Sequence, residues 1–303
     1  MNQNNPLISG DALKIAASHC AAALQEKIEG QQKGFFSIFD KWFTNVLTRF
    51  LKFDQSKSWE QSVQETVANQ PQENALAWDL MRLRLFLDRY EQGRLVDYAQ
   101  REASGAHYFP RFGTEFGADV LLTAQGAPQL MQWRGVPLMK TVFDYALYPM
   151  LLAELKPRTI IEIGSGLGAS ALWLADHLKM LGVDGHVHSV DITPPKQTHP
   201  NVTFHHGDCG MPDKLFPAEI LQTAPHPWLV IEDAHQNIEA VLNHLHPFIQ
   251  SGDYLIVEDS EVKHDVLRSF TAAHAGNYKV DTKFTDYFGR NATCAGDSIF
   301  KRF

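Results

Sequence analysis

The sequence predicts an α/β fold, with a mostly parallel sheet in its second half and a helical domain before it. Three observations carry this. From Val136 onward, short apolar runs alternate with helical periods, the pattern of parallel strands covered on both faces. Before residue 104 the apolar spacing is three and four residues, the helical period. A buried run at Thr159–Ile163 leads into Gly164-Ser-Gly-Leu-Gly168 and then a helix, the kind of strand–turn–helix unit that binds ligands in open sheets.

Taken in order, 9–29 reads as a helix with an Ala-rich face ending near Gly30. In 35–53, Phe35, Phe39, Trp42, Phe43, Val46, Leu47 and Phe50 share one face, with Lys41, Arg49 and Lys52 off it. That amphipathic helix packs on its neighbours, or serves as a membrane-surface element or a lid. Ser58 with Gln61 forms a capping box opening a helix to about Asn69. Leu76, Leu80, Leu83 and Leu87 mark a helix over 72–92, with Gly93 as its C-cap. Residues 105–135, rich in glycine and aromatics and broken by Pro110 and Pro128, read as an irregular connector with short strands. The expected organisation is therefore 1–104 helical, as a substrate cap or interaction module, 105–135 connecting, and 136–303 binding the cofactor.

Within that last part, strands are expected at Thr159–Ile163, 186–190, 202–205, 228–231 and Tyr254–Val257, and helices at 169–181 and 236–249. Strand tips in such sheets carry the ligand site. Gly164, Gly166 and Gly168 remove side chains where a ligand approaches the backbone, and the amides at the helix start suit an anionic group. A dinucleotide is the natural rival ligand. Two features favour S-adenosylmethionine: Glu162, which can reach the ligand's ammonium through ordered contacts, and Asp191, placed to accept hydrogen bonds from two ribose hydroxyls. A dinucleotide site would use an acid similarly, so Asp191 alone does not decide. The run Phe204-His-His-Gly-Asp208 supplies a polar tip that could read an adenine edge. Together these segments resemble motifs of the class I methyltransferases.

Two further strands end in acidic pairs, Glu232-Asp233-Ala234-His235 and Glu258-Asp259. Four carboxylates crowded together repel unless solvated, protonated or joined by a cation. Oxygen-rich sites of this kind suit Mg²⁺. His235, just past its strand, could face a substrate held on the metal and accept a proton from its hydroxyl. Asp213, Asp286 and Arg290 are further candidate substrate contacts.

The stretches Gly135-Val-Pro, Phe143-Asp144, Leu155-Lys-Pro-Arg-Thr-Ile-Ile-Glu-Ile-Gly-Ser-Gly, Leu229-Val-Ile-Glu-Asp-Ala-His and Gly252-Asp-Tyr-Leu-Ile-Val-Glu-Asp resemble the cephalosporin hydroxylase/rhamnosyl O-methyltransferase family. Asn291-Ala-Thr and Phe300-Lys-Arg resemble that family's C-terminal segment. The likeness covers about 135–303 and implies a Rossmann-like core that binds S-adenosylmethionine, often with Mg²⁺. Carried over by position, Glu232 is the first metal ligand, Glu258 with Asp259 the remaining ones, and His235 the base. The family has Asp where Glu232 stands, so Glu232 or the adjacent Asp233 fills that role. The cofactor contacts implied are Glu162, Gly164, Ser165, Gly166, Gly168, Asp191, Ile192, Asp208, Cys209 and Glu232. The expected activity is Mg²⁺-assisted O-methyl transfer to a small molecule, a sugar or natural-product intermediate. Metal-independent N- or C-methyl transfer and a non-catalytic binding role are the alternatives.

Bulk properties narrow the partners. A net charge of −8 argues against nucleic acid. Cys20, Cys209 and Cys294 are widely spaced and form no CxxC pair, which points to a reducing cytoplasm. The first residues lack the pattern of a signal peptide, and no apolar run reaches the roughly 20 residues needed to span a bilayer. A homo-oligomer is compatible with all of this.

Overall fold

The computed structural model describes residues 93–103, 120, 123–126 and 130–303. The chain divides into units Met1–Gln92 and Gly93–Phe303, and every described residue belongs to the second. The helices expected over 9–29, 58–69 and 72–92 and the aromatic stretch 35–53 lie outside the described residues.

The strands are β1 (Leu95–Val96), β2 (Gln132–Trp133), β3 (Val136–Pro137), β4 (Thr159–Ile163), β5 (His186–Asp191), β6 (Val202–His206), β7 (Trp228–Glu232), β8 (Tyr254–Val257), β9 (Tyr278–Asp281) and β10 (Ile299–Arg302). Described helices are α1 (Tyr98–Ala103), α2 (Asp144–Leu155), α3 (Ala169–Met180), α4 (Ala218–Thr223), α5 (Ile238–Leu245), α6 (His264–Ala273) and α7 (Thr282–Thr285). Eight strands form one sheet in the order β1-β9-β10-β8-β7-β4-β5-β6. The five strands from β8 to β6 are parallel. Strand β10 runs antiparallel to both β8 and β9. The five parallel strands match the sequence expectation to within a residue at each end. The antiparallel edge was not expected, because β9 and β10 sit on either side of an irregular loop and lack a helix-linked repeat. Strand β1 and helix α1 lie inside the 1–104 segment expected to be helical. Strand β1 pairs with β9, Leu95 opposite Asp281, and Tyr98 on α1 packs against Val280 and Phe300 in one buried cluster.

The side-chain period of two sorts the strands between two cores. On one face, Ile160, Leu229, Ile231, Tyr254 and Ile256 pack with Trp173 and Leu152 from α3 and α2. On the other, Ile161, Ile163, Trp228, Val230, Leu255 and Val257 pack with Leu242, Leu267 and Phe270 from α5 and α6. Each fully buried large side chain contributes about 1.5–3 kcal/mol of transfer free energy. The same parity continues into the strand tips and sets the site. Glu162 and Glu258 follow Ile160 and Ile256 onto the α2–α3 face, whereas Glu232 follows Val230 onto the α5–α6 face.

The tips are held level by backbone bonds. Gly164 N donates to Val190 O at 2.8 Å, Asp233 N to Ile163 O at 2.8 Å, and Glu258 N to Glu232 O at 2.9 Å. Strand order reverses at β4, with β5 on one side and β7 on the other. Open parallel sheets bind ligands at such a reversal, at the carboxyl ends of the strands.

Candidate active site

A cleft of about 420 Å³ opens at that reversal, lined from the glycine turn by Gly164, Ser165 and Gly166 and from the tips of β5 and β6 by Asp191, Ile192, Asp208 and Cys209. Asp233, His235, Glu258, Asp259 and Lys140 line its other half. The volume falls in the range of small-molecule sites.

The glycine turn requires glycine for separate reasons at each position. Gly164 has φ 99°, and a Cβ there would sit 2.7 Å from Asp233 O. Gly168, at φ 86°, begins α3, and its Cβ would meet the Pro195 ring at 2.9 Å. At Gly166, φ 50°, nothing stands within 4 Å of the Cβ position. That open cradle lets a ligand reach the backbone. Asp191 caps the turn: Oδ2 accepts from Gly166 N at 2.9 Å and Oδ1 from Thr193 N at 2.8 Å. Asp208 Oδ1 accepts from Gly210 N at 2.7 Å.

Glu162 differs from the expectation of ligand contact. It is buried beneath the turn, hydrogen-bonded by the Ser189 hydroxyl, which also meets Ser165 Oγ at 2.6 Å. It does not line the cleft, so its reach to a ligand runs through these serines. Burial pushes its carboxyl up to about 6.

The acidic tips separate into two kinds. Glu232 is fully buried and its Oε2 accepts from Lys263 Nζ at 2.9 Å. Its Oε1 accepts from the amides of Ala234 at 3.0 Å and His235 at 3.2 Å. Three acceptor directions are taken, and Glu232 is absent from the cleft lining; the structure places this expected first ligand and cofactor contact beneath the site. Its parity points it to the wrong face. Glu258 is likewise buried, with Lys140 Nζ on Oε2 and the Tyr148 hydroxyl on Oε1. Lys140 reaches on to Asp233 Oδ2 at 3.2 Å. Burial would lower the Lys140 ammonium, but the Glu258 and Asp233 carboxylates outweigh it and raise its pKa well above the usual lysine range. Burial raises Glu258 in turn, against the pull of Lys140.

The other two acids face the cleft. Asp233 Oδ1 lies 3.5 Å and Asp259 Oδ2 3.3 Å from His235 Nε2, and the His235 side chain is 45% exposed. Among the described residues, Asp233, His235 and Asp259 are the group whose ligand atoms all lie within 4.8 Å of one another. Two carboxylates and an imidazole at the mouth of a cleft form a donor set that fits a divalent cation. His235 (φ 57°) and Asp259 (φ 46°) adopt left-handed backbone. Non-glycine residues held there carry a cost of about 1–3 kcal/mol each, the kind of strain that clusters at functional sites.

Asp213 lies on an exposed 3₁₀ turn outside the cleft. Asp286 pairs bidentately with buried Arg101 at 2.8 Å, and Arg290 donates to Arg101 O at 3.1 Å. These bonds fasten α1 to the 286–297 loop and leave neither residue in the cleft. Lys140, Tyr148 and Lys263 were missed by sequence reasoning. The one local signal was a lysine set inside the apolar run Leu138-Met139-Lys140-Thr141-Val142.

Sheet order, glycine turn and acid-capped tips define the class I methyltransferase fold. Residues 126–292 match the family described as Rhamnosyl O-methyltransferase/CmcI. The rhamnosyl O-methyltransferase of Mycobacterium leprae is 34% identical over 149 residues, 46% of this chain and 65% of that protein. That of Mycobacterium tuberculosis strain H37Rv is 30% identical over 166 residues, 52% of this chain and 66% of that protein. A solved structure of CmcI with Mg and SAM superposes with a TM-score of 0.50 at 25% identity, over 62% of this chain and 85% of that one. The chain belongs to the Rhamnosyl O-methyltransferase/CmcI family. It spans just under two thirds of the length of the curated relatives it matches.

Proposed function

We propose that this chain is a Mg²⁺-assisted, S-adenosylmethionine-dependent O-methyltransferase acting on a hydroxyl of a small molecule, a sugar or natural product. The observation that carries the reading is one cleft holding both an open glycine turn and the Asp233–His235–Asp259 group. The names of the mycobacterial relatives and the Mg and SAM of the CmcI structure support it.

When bound, S-adenosylmethionine supplies an electrophilic methyl group, and Mg²⁺ lowers the pKa of an acceptor oxygen. The chain's own residues do the rest. The backbone of Gly164, Ser165 and Gly166 receives the cofactor's polar end, with Gly168 shaping the turn. Asp191 would accept from the ribose hydroxyls, and Ile192, Asp208 and Cys209 line the same cleft where the base would lie. Asp233 and Asp259 would hold the cation, with Glu258 in the cleft wall beside them. The His235 ring, exposed at the cleft mouth beside Asp233 and Asp259, would take the acceptor's proton. Acceptor selection is assigned to the region before residue 105, which lies outside the matched residues 126–292. Among the described residues no helix is long and apolar enough to cross a membrane. Cys209 and Cys294 are both free thiols, in keeping with a reducing cytoplasm.

The 4.8 Å grouping favours one second reading, His235 as a third metal ligand. His235→Ala separates the two. As a base, its loss should lower turnover about 10²–10⁴-fold while Mg²⁺ affinity by calorimetry stays unchanged. Collapse of Mg²⁺ affinity would move His235 into the ligand set, and unchanged turnover would remove it from the chemistry. The activity itself is tested by mass spectrometry of hydroxylated acceptors incubated with methyl-labelled cofactor, with and without EDTA. Absence of a labelled product across sugar and natural-product acceptors would overturn the proposal.

A further inference from the structure

We propose that Asp176 is a positioning residue for the cofactor: it ties two segments of the cleft lining to one carboxylate and so sets how long S-adenosylmethionine stays bound. The inference rests on the cofactor reading above and is independent of the metal. Asp176 lies on α3 and does not itself line the cleft. It acts through the segments that do.

Four donors from two segments converge on this side chain, which is 14% exposed. Arg134 supplies a fork, Nε to Oδ2 and Nη2 to Oδ1, each at 2.6 Å. The Trp133 indole N–H donates to Oδ2 at 2.8 Å, and His199 Nε2 lies 3.3 Å from Oδ1. Asn201 N donates to His199 Nδ1 at 3.1 Å, so the ring proton sits on Nε2 and faces the carboxylate. A carboxylate offers about four acceptor sites, and all are used. Trp133 and Arg134 belong to the β2–β3 hairpin, which runs directly into a strap, Pro137, Leu138, Met139 and Lys140, that lines the cleft. His199 lies near the end of the β5–β6 loop, whose first residue, Ile192, lines the cleft as well. Helix α3 itself begins at the glycine turn. One carboxylate thus joins strap, loop and turn.

The hairpin holds its arginine against backbone preference. Its two-residue turn, Arg134 (φ 51°) and Gly135 (φ 78°), needs left-handed backbone at both places, where Asn, Asp or Gly is the usual first residue. Arginine is strained there, and the charged fork on Asp176 offsets the strain. A two-stranded hairpin is marginal by itself, so contacts with α3 decide where it stands. They include the Asp176 bonds and the Trp133 ring, 5.6 Å from the His177 ring. Beyond the hairpin, Met139 on the strap, Leu167 in the glycine turn and Ile192 after β5 all line the cleft and are 64%, 59% and 62% exposed. A ligand seated among them covers apolar surface from all three segments, provided their spacing is kept.

Calorimetry and stopped-flow displacement with S-adenosylmethionine on the full chain test this. Arg134→Gly is the decisive variant, because glycine suits the turn and should leave Tm within about 2 °C of wild type. Its dissociation constant for S-adenosylmethionine should still rise about five-fold, through a faster off-rate, with the effect falling on the cofactor's KM rather than on kcat. Asp176→Asn, which keeps the shape but accepts from fewer donors, should raise the constant about ten-fold. Arg134→Lys keeps one charged bond and should fall between wild type and Arg134→Gly. A packing role alone would leave affinity unmoved in Arg134→Gly. Unchanged affinity and off-rate in folded Arg134→Gly therefore overturn the proposal, even if Asp176→Asn fails to fold. Lowered kcat with unchanged cofactor affinity overturns it too. Wild-type chain that binds no S-adenosylmethionine defeats the cofactor part of the proposed function together with this assignment. Wild-type binding with an unaltered Arg134→Gly defeats this assignment alone.

Discussion

The two halves of the cleft satisfy their polar groups in opposite ways. On the β4–β5–β6 side, carboxylates bond to nearby backbone: Asp191 to Gly166 and Thr193, Asp208 to Gly210. On the β7–β8 side, carboxylates are matched by charged side chains brought from a distance, Lys140 to Asp233 across 93 positions and Lys263 to Glu232 across 31. The first half is built from short-range turns that leave backbone open to a ligand. The second is a network of buried charges in which each acid's role depends on which lysine it meets. Neighbouring acids with the same sequence pattern therefore part company: Glu232 is sealed beneath its strand end, Glu258 lies in the cleft wall against Lys140 and Tyr148, and the two aspartates face the cleft.

The comparison breaks most sharply at Lys263. Lys263→Met leaves the Glu232 carboxylate buried without its cation, and stability should fall by about 3–5 kcal/mol. Chemical denaturation measures this; a loss below about 1 kcal/mol would mean that the amides of Ala234 and His235 suffice for Glu232. Second in size is Gly164→Ala, which strikes the seam between the halves. Its Cβ would press on the Asp233 carbonyl and on Ala234 N at 2.9 Å, so the acidic loop must move. Overpacking of this kind costs about 1–3 kcal/mol, and cofactor and Mg²⁺ affinities should weaken together. Calorimetry that shows only one of them changed would separate the halves.

The smallest effect belongs to Asp176 on α3, behind the glycine turn. Arg134 pairs with it at 2.6 Å, and Trp133 and His199 also reach it. Chiefly the Arg134 hydrogen bonds hold its carboxyl down to about 2. A depressed carboxyl stabilises the fold above its ordinary pKa near 4 and loses that contribution as pH falls toward 2. Asp176→Asn should therefore lower Tm slightly at pH 7, where the exposed Arg134 is screened by solvent, and flatten the acid side of the Tm–pH curve. An unaltered acid slope would remove the ion pair from the stability of this half.

Legibility followed the same division. The glycine turn, Asp191 and the five parallel strands were readable because each depends on residues within one turn or one strand. His235, Asp233 and Asp259 were readable as candidates from their place after apolar runs. Glu232 was readable as an acid at a strand end but its surroundings were not: strand parity turns it to the α5–α6 face and Lys263. Asp286 and Arg290 looked available for a substrate until Arg101, some 185 residues earlier, claimed them.

By itself, then, the sequence determined the alternation of strands and helices, the backbone-lined turn and the presence of acids at the strand ends, because periodicity and glycine chemistry act over short distances. Only the tertiary structure decided which acids stay free. That choice turns on buried ammonium groups delivered by distant loops, and the electrostatics of burial depends on proximity in space rather than on spacing along the chain.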